Sequence, residues 1–341
     1  MNAPTRTTNR LTEALARFWG WLRIRLAHFW AWLPTSIDRR VRIIVWANFV
    51  AQTVIVGTGG AVRLTGAGLG CPTWPRCTAD SFVTTPEMGI HGIIEFGNRT
   101  LFFAVEIIAI LAVLFVIRYR KQRRDLFVLT IIPAASVFLQ AIVGGITVLS
   151  GLNPYVVGLH FVLSVVLVVL AAVLVYRVYE APGPRVRVAP SWYAGLAHLT
   201  SFFVAVTVVV GILTTGSGPH AGDGGAKRNG LDPELLQHVH SWPAYITLGL
   251  TVVLVVGAVR FPPRPRTRTF VLWLLGTEIV QIIVGVTQAR LGLPEILVGI
   301  HMVLACLLTA AMTAVVLSLK SPIASTVGEA ERQPVTGSVA A

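Results

Sequence analysis

Apolar and polar positions in this chain alternate over tens of residues rather than over three or four. Eight apolar runs, at 41–62, 91–117, 126–149, 156–178, 192–215, 234–259, 270–290 and 296–318, each hold more than 20 residues. Such runs are long enough to cross a hydrocarbon core as helices, and inside lipid a backbone must satisfy its own hydrogen bonds. The pattern predicts an all-α polytopic membrane protein with eight transmembrane helices.

The runs repeat. LQAIVGGITVLSGLNPYVVGLHFVL (139–163) aligns without gaps to VQIIVGVTQARLGLPEILVGIHMVL (280–304), at an offset of 141. From Gln140 to Leu163, 11 of 24 positions are identical, among them Gln140/Gln281, Gly144/Gly285, Gly158/Gly299 and His160/His301. A second, weaker match sets TTPEMG…IIEFGNR beside LDPELLQHVHS, with IIEFGNR over LLQHVHS at an offset of 142. It predicts helix starts with a cap residue, a proline and a glutamate at Thr85-Pro86-Glu87 and Asp232-Pro233-Glu234. Four spans return a chain to the same side, so the two units lie parallel. The expected organisation is an interfacial segment (1–40), an N-terminal four-helix bundle (41–178), a C-terminal four-helix bundle (192–318) and a disordered tail (319–341).

Composition supports the class: 54% of residues are hydrophobic and 13% charged, about half the charge of a soluble domain. The net charge of +13 raises the question of nucleic acid, but its placement excludes that reading. RYRKQRRD (118–125) carries five basic residues, and Arg39–Arg40, PGPRVR and RFPPRPRTR fall on the same side of the predicted spans. This is the positive-inside bias, which puts both termini in the cytoplasm. FWGWLRIRLAHFWAWL (18–33) reads as a helix lying in the membrane interface. It lacks the charged start, apolar core and small-residue cleavage site of a secretory signal.

Of three cysteines, Cys71 and Cys77 fall in GLGCPTWPRC on the outer side, where a disulfide persists. A structural bridge and a redox-active one both remain open there. Cys306, within the last span, reads as a small core residue.

The chemistry lies in the histidines. There are eight, and His160, His238, His240 and His301 cluster near the outer ends of the spans, with His91 further out. A lone histidine in such a helix is more often packing than a ligand, but repetition changes the weighing. His240 and His301, at one level in one bundle, suit the two axial positions of a haem iron. His238 is about 200° round the helix from His240, so both cannot face one iron. In the first unit His160 keeps its place, while the position matching His240 is Asn98, a poor iron ligand. His91, about 10 Å above Asn98 on the same face, is one candidate to fill the gap; water or an open position are the others. Glu95 lies one turn from Asn98 and Arg99 follows it directly, and charges at such depth are costly unless they serve a function. The first unit therefore reads as a place for chemistry and the second as a place for electron transfer. Glu106 and Glu278 are also intramembrane and receive no role beyond interhelical hydrogen bonds or proton paths.

RLTGAGLGCPTWPRC, EFGNR, the histidine of GLHFVL, QHVHSWPAY and the histidine of GIHMVL resemble, in order and spacing, the haem A synthase family of bacterial type, over residues 41–318. The resemblance implies an enzyme that oxidises the C8 methyl of haem O to a formyl group by successive water-derived hydroxylations, for cytochrome oxidase assembly. It implies haem B as redox cofactor on His240 and His301, His160 in the substrate haem site with Asn98 and His91 nearby, and Glu95 as the catalytic carboxylate. Arg99 and Arg63 would suit haem propionates, with interfacial anchoring as the plain alternative. Glu95 has its own plain alternative, an ion pair with Arg99. The family pattern E-x-x-H-R reads E-F-G-N-R here, a departure at Asn98. The implied setting is the lipid bilayer of a bacterial plasma membrane, with the haem sites toward the outer face. The electron acceptor, contact with the haem O synthase (a farnesyltransferase) and assembly into a homo-oligomer are left open. Two rival functions remain: a di-haem transmembrane electron-transfer cytochrome, and a transporter, against which the lack of broken helices argues.

Overall fold

A computed structural model describes residues 6–260 and 265–323. Nine α-helices appear among them: α1 (Arg6–Trp32), α2 (Arg39–Leu64), α3 (Gly89–Val116), α4 (Arg124–Leu149), α5 (Pro154–Arg177), α6 (Ser191–Ser217), α7 (Pro233–Arg260), α8 (Pro265–Arg290) and α9 (Glu295–Ser318). The eight from α2 to α9 are long and apolar enough to cross a membrane.

Local chemistry sets the helix ends. Asp38 caps α2, its Oδ1 accepting from the Val41 N–H at 3.1 Å. Asn153 caps α5, with Pro154 at the first helical position, and Asp232 Oδ1 accepts from the Glu234 N–H at 2.9 Å to open α7. The matching expectation at Thr85 is corrected. Pro86–Met88 forms a separate 3₁₀ turn that the Thr85 side chain does not cap, and α3 starts only at Gly89, whose φ of 55° suits glycine. The internal repeat is visible in the backbone of the α4–α5 and α8–α9 turns. Gly151 and Leu152 have φ of 61° and 58°, and Gly292 and Leu293 have 74° and 63°. A leucine in the left-handed region is uncommon, and the same Gly–Leu pair adopts it at both matched positions.

Helices α2, α3, α4 and α5 close a ring of neighbours, and α6, α7, α8 and α9 close a second. The rings meet where α9 packs on α2 and α5, and where α5 packs on α6. Dense apolar packing fills the end of each ring that carries the basic loops. Val41, Val45, Val116, Tyr119, Leu126 and Leu174 form it in the first ring, and Tyr193, Leu254, Val271, Leu274 and Met312 in the second. Cys306 is buried with Val56, Val165 and Val168 in the seam between the rings, as expected of a small core residue. His91, His160, His240 and His301 lie toward the opposite ends.

At the basic end α1 is fastened by its C-terminus. Arg118 donates to the Leu33 carbonyl at 2.9 Å, and Trp32 meets Phe115 edge-on at 5.6 Å between ring centres. Phe18, Trp19, Trp21 and Trp30 stay exposed. The expectation of disorder from residue 319 onward is corrected for 319–323. Lys320–Pro322 (β2) pairs antiparallel with Arg185–Arg187 (β1), tying the end of α9 to the α5–α6 connection. The rest of the tail lies outside the described residues, as do the first five residues of the N-terminal segment.

Candidate functional site

In the second ring, α7 carries His240 and α9 carries His301. Their rings face each other with centres 6.3 Å apart and planes 74° apart. Each ring lies against a glycine of a neighbouring helix. A Cβ on Gly211 would come within 2.8 Å of His240 Cε1, and one on Gly285 within 3.0 Å of His301 Cε1. Any larger residue at either position would push the ring out of place. Both Nδ1 atoms are buried without a hydrogen-bond partner, an expensive state unless a further group completes the site.

These features fit a haem, whose iron the imidazoles of His240 and His301 would hold. His238, two positions from His240, is exposed and takes no part in the pair.

The first ring repeats half of this arrangement. His160 on α5 lies over Gly144 of α4, whose Cβ would sit 3.4 Å from His160 Cε1, and its Nδ1 is also buried and unpartnered. Where the second ring places His240, the first has Asn98, and Thr58 Oγ1 on α2 donates to Asn98 Oδ1 at 2.8 Å. The asparagine side chain is therefore tied to α2. His91 is exposed, its Nδ1 3.1 Å from the Gly66 carbonyl, a contact made at the α2–α3 connection.

Glu95 is 4% exposed and held on both oxygens. Oε2 accepts the Cys71 N–H at 2.7 Å, and Oε1 accepts from Arg99 Nε at 3.0 Å and from Arg99 Nη2. Arg99 also donates to the carbonyls of Cys71 at 2.8 Å and Thr73 at 2.9 Å. The sequence placed Glu95 and Arg99 together; the structure adds that both hold the cysteine loop. That loop carries the Cys71–Cys77 disulfide, with Cα atoms 4.4 Å apart. Its Trp74 packs face-on over Gly145, where a Cβ would come within 2.4 Å of the ring. Gly145 adjoins Gly144, so the loop covers the same part of α4 that supports His160. Alkylation with and without reductant checks the bridge: a mass shift at Cys71 and Cys77 is expected only after reduction, and full alkylation beforehand would exclude a disulfide.

Arg63 leaves its own ring and binds the other. Its Nε donates to the His220 carbonyl at 2.7 Å and its Nη2 to the Thr215 carbonyl at 2.9 Å, both in or near the α6–α7 connection. Among the described residues no carboxylate pairs with it. Glu278 accepts from Thr251 Oγ1 at 2.8 Å, an interhelical bond of the kind expected, while Glu106 is buried with Oε2 unpartnered. Sequence reasoning missed Thr58, Trp74 and Gly211. Only Gly211 had a signal, through the shared V-G of IVG (55–57) and VVG (209–211).

Two closed rings of membrane helices, one with an imidazole pair and one with a single imidazole and a buried carboxylate, define a multi-pass membrane protein. The family model described as Cytochrome oxidase assembly protein (COX15-CtaA) matches residues 42–313, and the chain belongs to that family. Relatives named Heme A synthase include one from Listeria welshimeri serovar 6b, 31% identical over 140 residues, which are 39% of this chain and 46% of that protein. A second, from Bacillus pumilus, is 30% identical over 177 residues, 51% of this chain and 56% of that protein. A third, from Geobacillus thermodenitrificans, is 27% identical over 165 residues, 48% and 49% of the two chains. The chain thus spans about half the length of the curated relatives it matches.

Proposed function

We propose that this protein is a haem A synthase, with haem B held by His240 and His301 and haem O bound as substrate in the first ring near His160. The observation that carries the reading is the asymmetry between the rings: two imidazoles together in one, and in the other a single imidazole, with Asn98, hydrogen-bonded to Thr58, at the position that matches His240. A saturated iron transfers electrons, whereas a site with a free side leaves room for chemistry.

The proposed reaction adds water oxygen to a methyl carbon. In the first step CH₃ and H₂O give CH₂OH, two protons and two electrons; a second such step gives CH(OH)₂, which loses water to leave the formyl group. When bound, haem B supplies one-electron redox chemistry. Removing electrons from the methyl leaves positive charge on its carbon, which a fixed carboxylate in low dielectric stabilises. Glu95 meets that need. The Arg99 guanidinium and the Cys71 N–H fix its rotation, and a carboxylate keeps further lone pairs for the proton of an attacking water. Arg99 is here a positioning residue rather than a propionate partner, because its donors go to Glu95 and to loop carbonyls. Arg63, with no acidic partner among the described residues, remains suited to a propionate.

The basic loops support an orientation with both termini in the cytoplasm and the haem sites toward the outer face. Extracting the haem from purified protein tests the reading. Haem O or haem A beside haem B is expected; haem B alone would favour the di-haem cytochrome, and no haem would favour the transporter.

A further inference from the structure

We propose that Gln281 and Gln140 are positioning residues that set the angle at which His301 and His160 present their rings, an inference that rests on the haem-ligating reading of those histidines. Gln281 Nε2 on α8 donates to the backbone carbonyl of His301 on α9 at 3.1 Å. The matched Gln140 Nε2 on α4 reaches Ser164 Oγ at 2.7 Å and the His160 carbonyl at 3.5 Å. Each glutamine is four residues before the glycine under the ring, Gln281 before Gly285 and Gln140 before Gly144. It therefore lies one helical turn from that glycine on the same face.

The Gln281 side-chain amide holds the backbone carbonyl of His301, at the root of its side chain. In both copies the glutamine Oε1 is buried and unpartnered. A buried amide that satisfies only part of its hydrogen-bonding capacity costs stability relative to an apolar residue. Its presence at both matched positions therefore points to a task other than packing.

The copies differ in one atom group. Ser164 Oγ donates to the His160 carbonyl at 2.9 Å and takes the Gln140 amide, so the clamp in the first ring acts mainly through a hydroxyl. The matched position in the second ring is Ala305, and the clamp there is direct. The backbone of His301 is thus held by one direct bond, and that of His160 by a relay of two.

The test uses the purified holoprotein, with electron paramagnetic resonance and redox titration as readouts. Gln281→Met keeps side-chain length and removes the amide. It is expected to retain haem B while shifting the largest low-spin g value and the midpoint potential beyond experimental scatter. Ala305→Ser inserts the hydroxyl relay without removing the glutamine, folds more safely, and is expected to shift both in the same direction. Wild-type g values and potential in Ala305→Ser and in any folded Gln281→Met would overturn the inference. If wild-type protein shows no low-spin haem, the ligation reading itself has failed, which is a separate result.

Discussion

Alanine at His240 or at His301 is expected to abolish the low-spin B-type spectrum of the purified protein. The two rings face each other at 6.3 Å between centres, so either loss leaves an iron with one imidazole, and the remaining spectrum should be high-spin or absent. Haem content should fall by more than the roughly 10–100-fold that loss of an outer-shell partner costs a metal site. His238→Ala is the control, because His238 is exposed and turned away; it should keep the full spectrum. Gly211→Val tests the same geometry without touching a ligand. Its Cβ would meet His240 Cε1 at 2.8 Å, and the displaced ring should give the phenotype of His240→Ala. Normal bis-imidazole spectra in both histidine variants would sink the assignment.

Glu95→Gln is expected to lose haem A formation by about 10²–10⁴-fold, the range in which a positioned acid or base contributes, while haem B stays bound. The glutamine keeps an acceptor for the Cys71 N–H but not the charge. Glu95→Ala removes both and strands Arg99, so it adds the roughly 3–5 kcal/mol cost of breaking a buried ion pair. Its loop should loosen, and Cys71–Cys77 should become easier to reduce. Glu95→Asp should retain part of the activity, because the charge persists about one methylene further back. The product to measure is haem O, or its hydroxylated form, accumulating in extracts. A normal yield of haem A from Glu95→Gln would reduce the carboxylate to a structural partner of Arg99. Equal loss of folding in Glu95→Gln and Arg99→Ala would support the same plain ion pair. Asn98→His, which restores the repeat pattern, should add a second imidazole to the first ring, remove any high-spin signal and leave catalysis in place.

Much of the site was legible before any coordinates. His160 and His301 stood out because a 24-residue match is a statement about two equivalent places in space. Asn98 stood out because it breaks that equivalence. Glu95 and Arg99 were legible as a pair from their spacing of four residues and the cost of charge in a membrane. What they held was not legible, since Cys71 and Thr73 reach Arg99 only when the loop folds back over α3. Arg63 illustrates the same limit. Its position near a helix end suggested an anchor or a propionate partner, and nothing local said that its guanidinium crosses to the carbonyls of Thr215 and His220.

The sequence by itself determined the eight spans and the duplication, because these follow from one-dimensional quantities: run length and a constant offset. It also determined which residue types were available for chemistry. Only the tertiary structure decided that Gly211 rather than another glycine lies under His240, that Thr58 holds Asn98, and that Trp74 closes over Gly145. Each of these depends on the rotation of one helix against another, set by summed packing over many side chains. A short stretch of sequence carries no record of that sum.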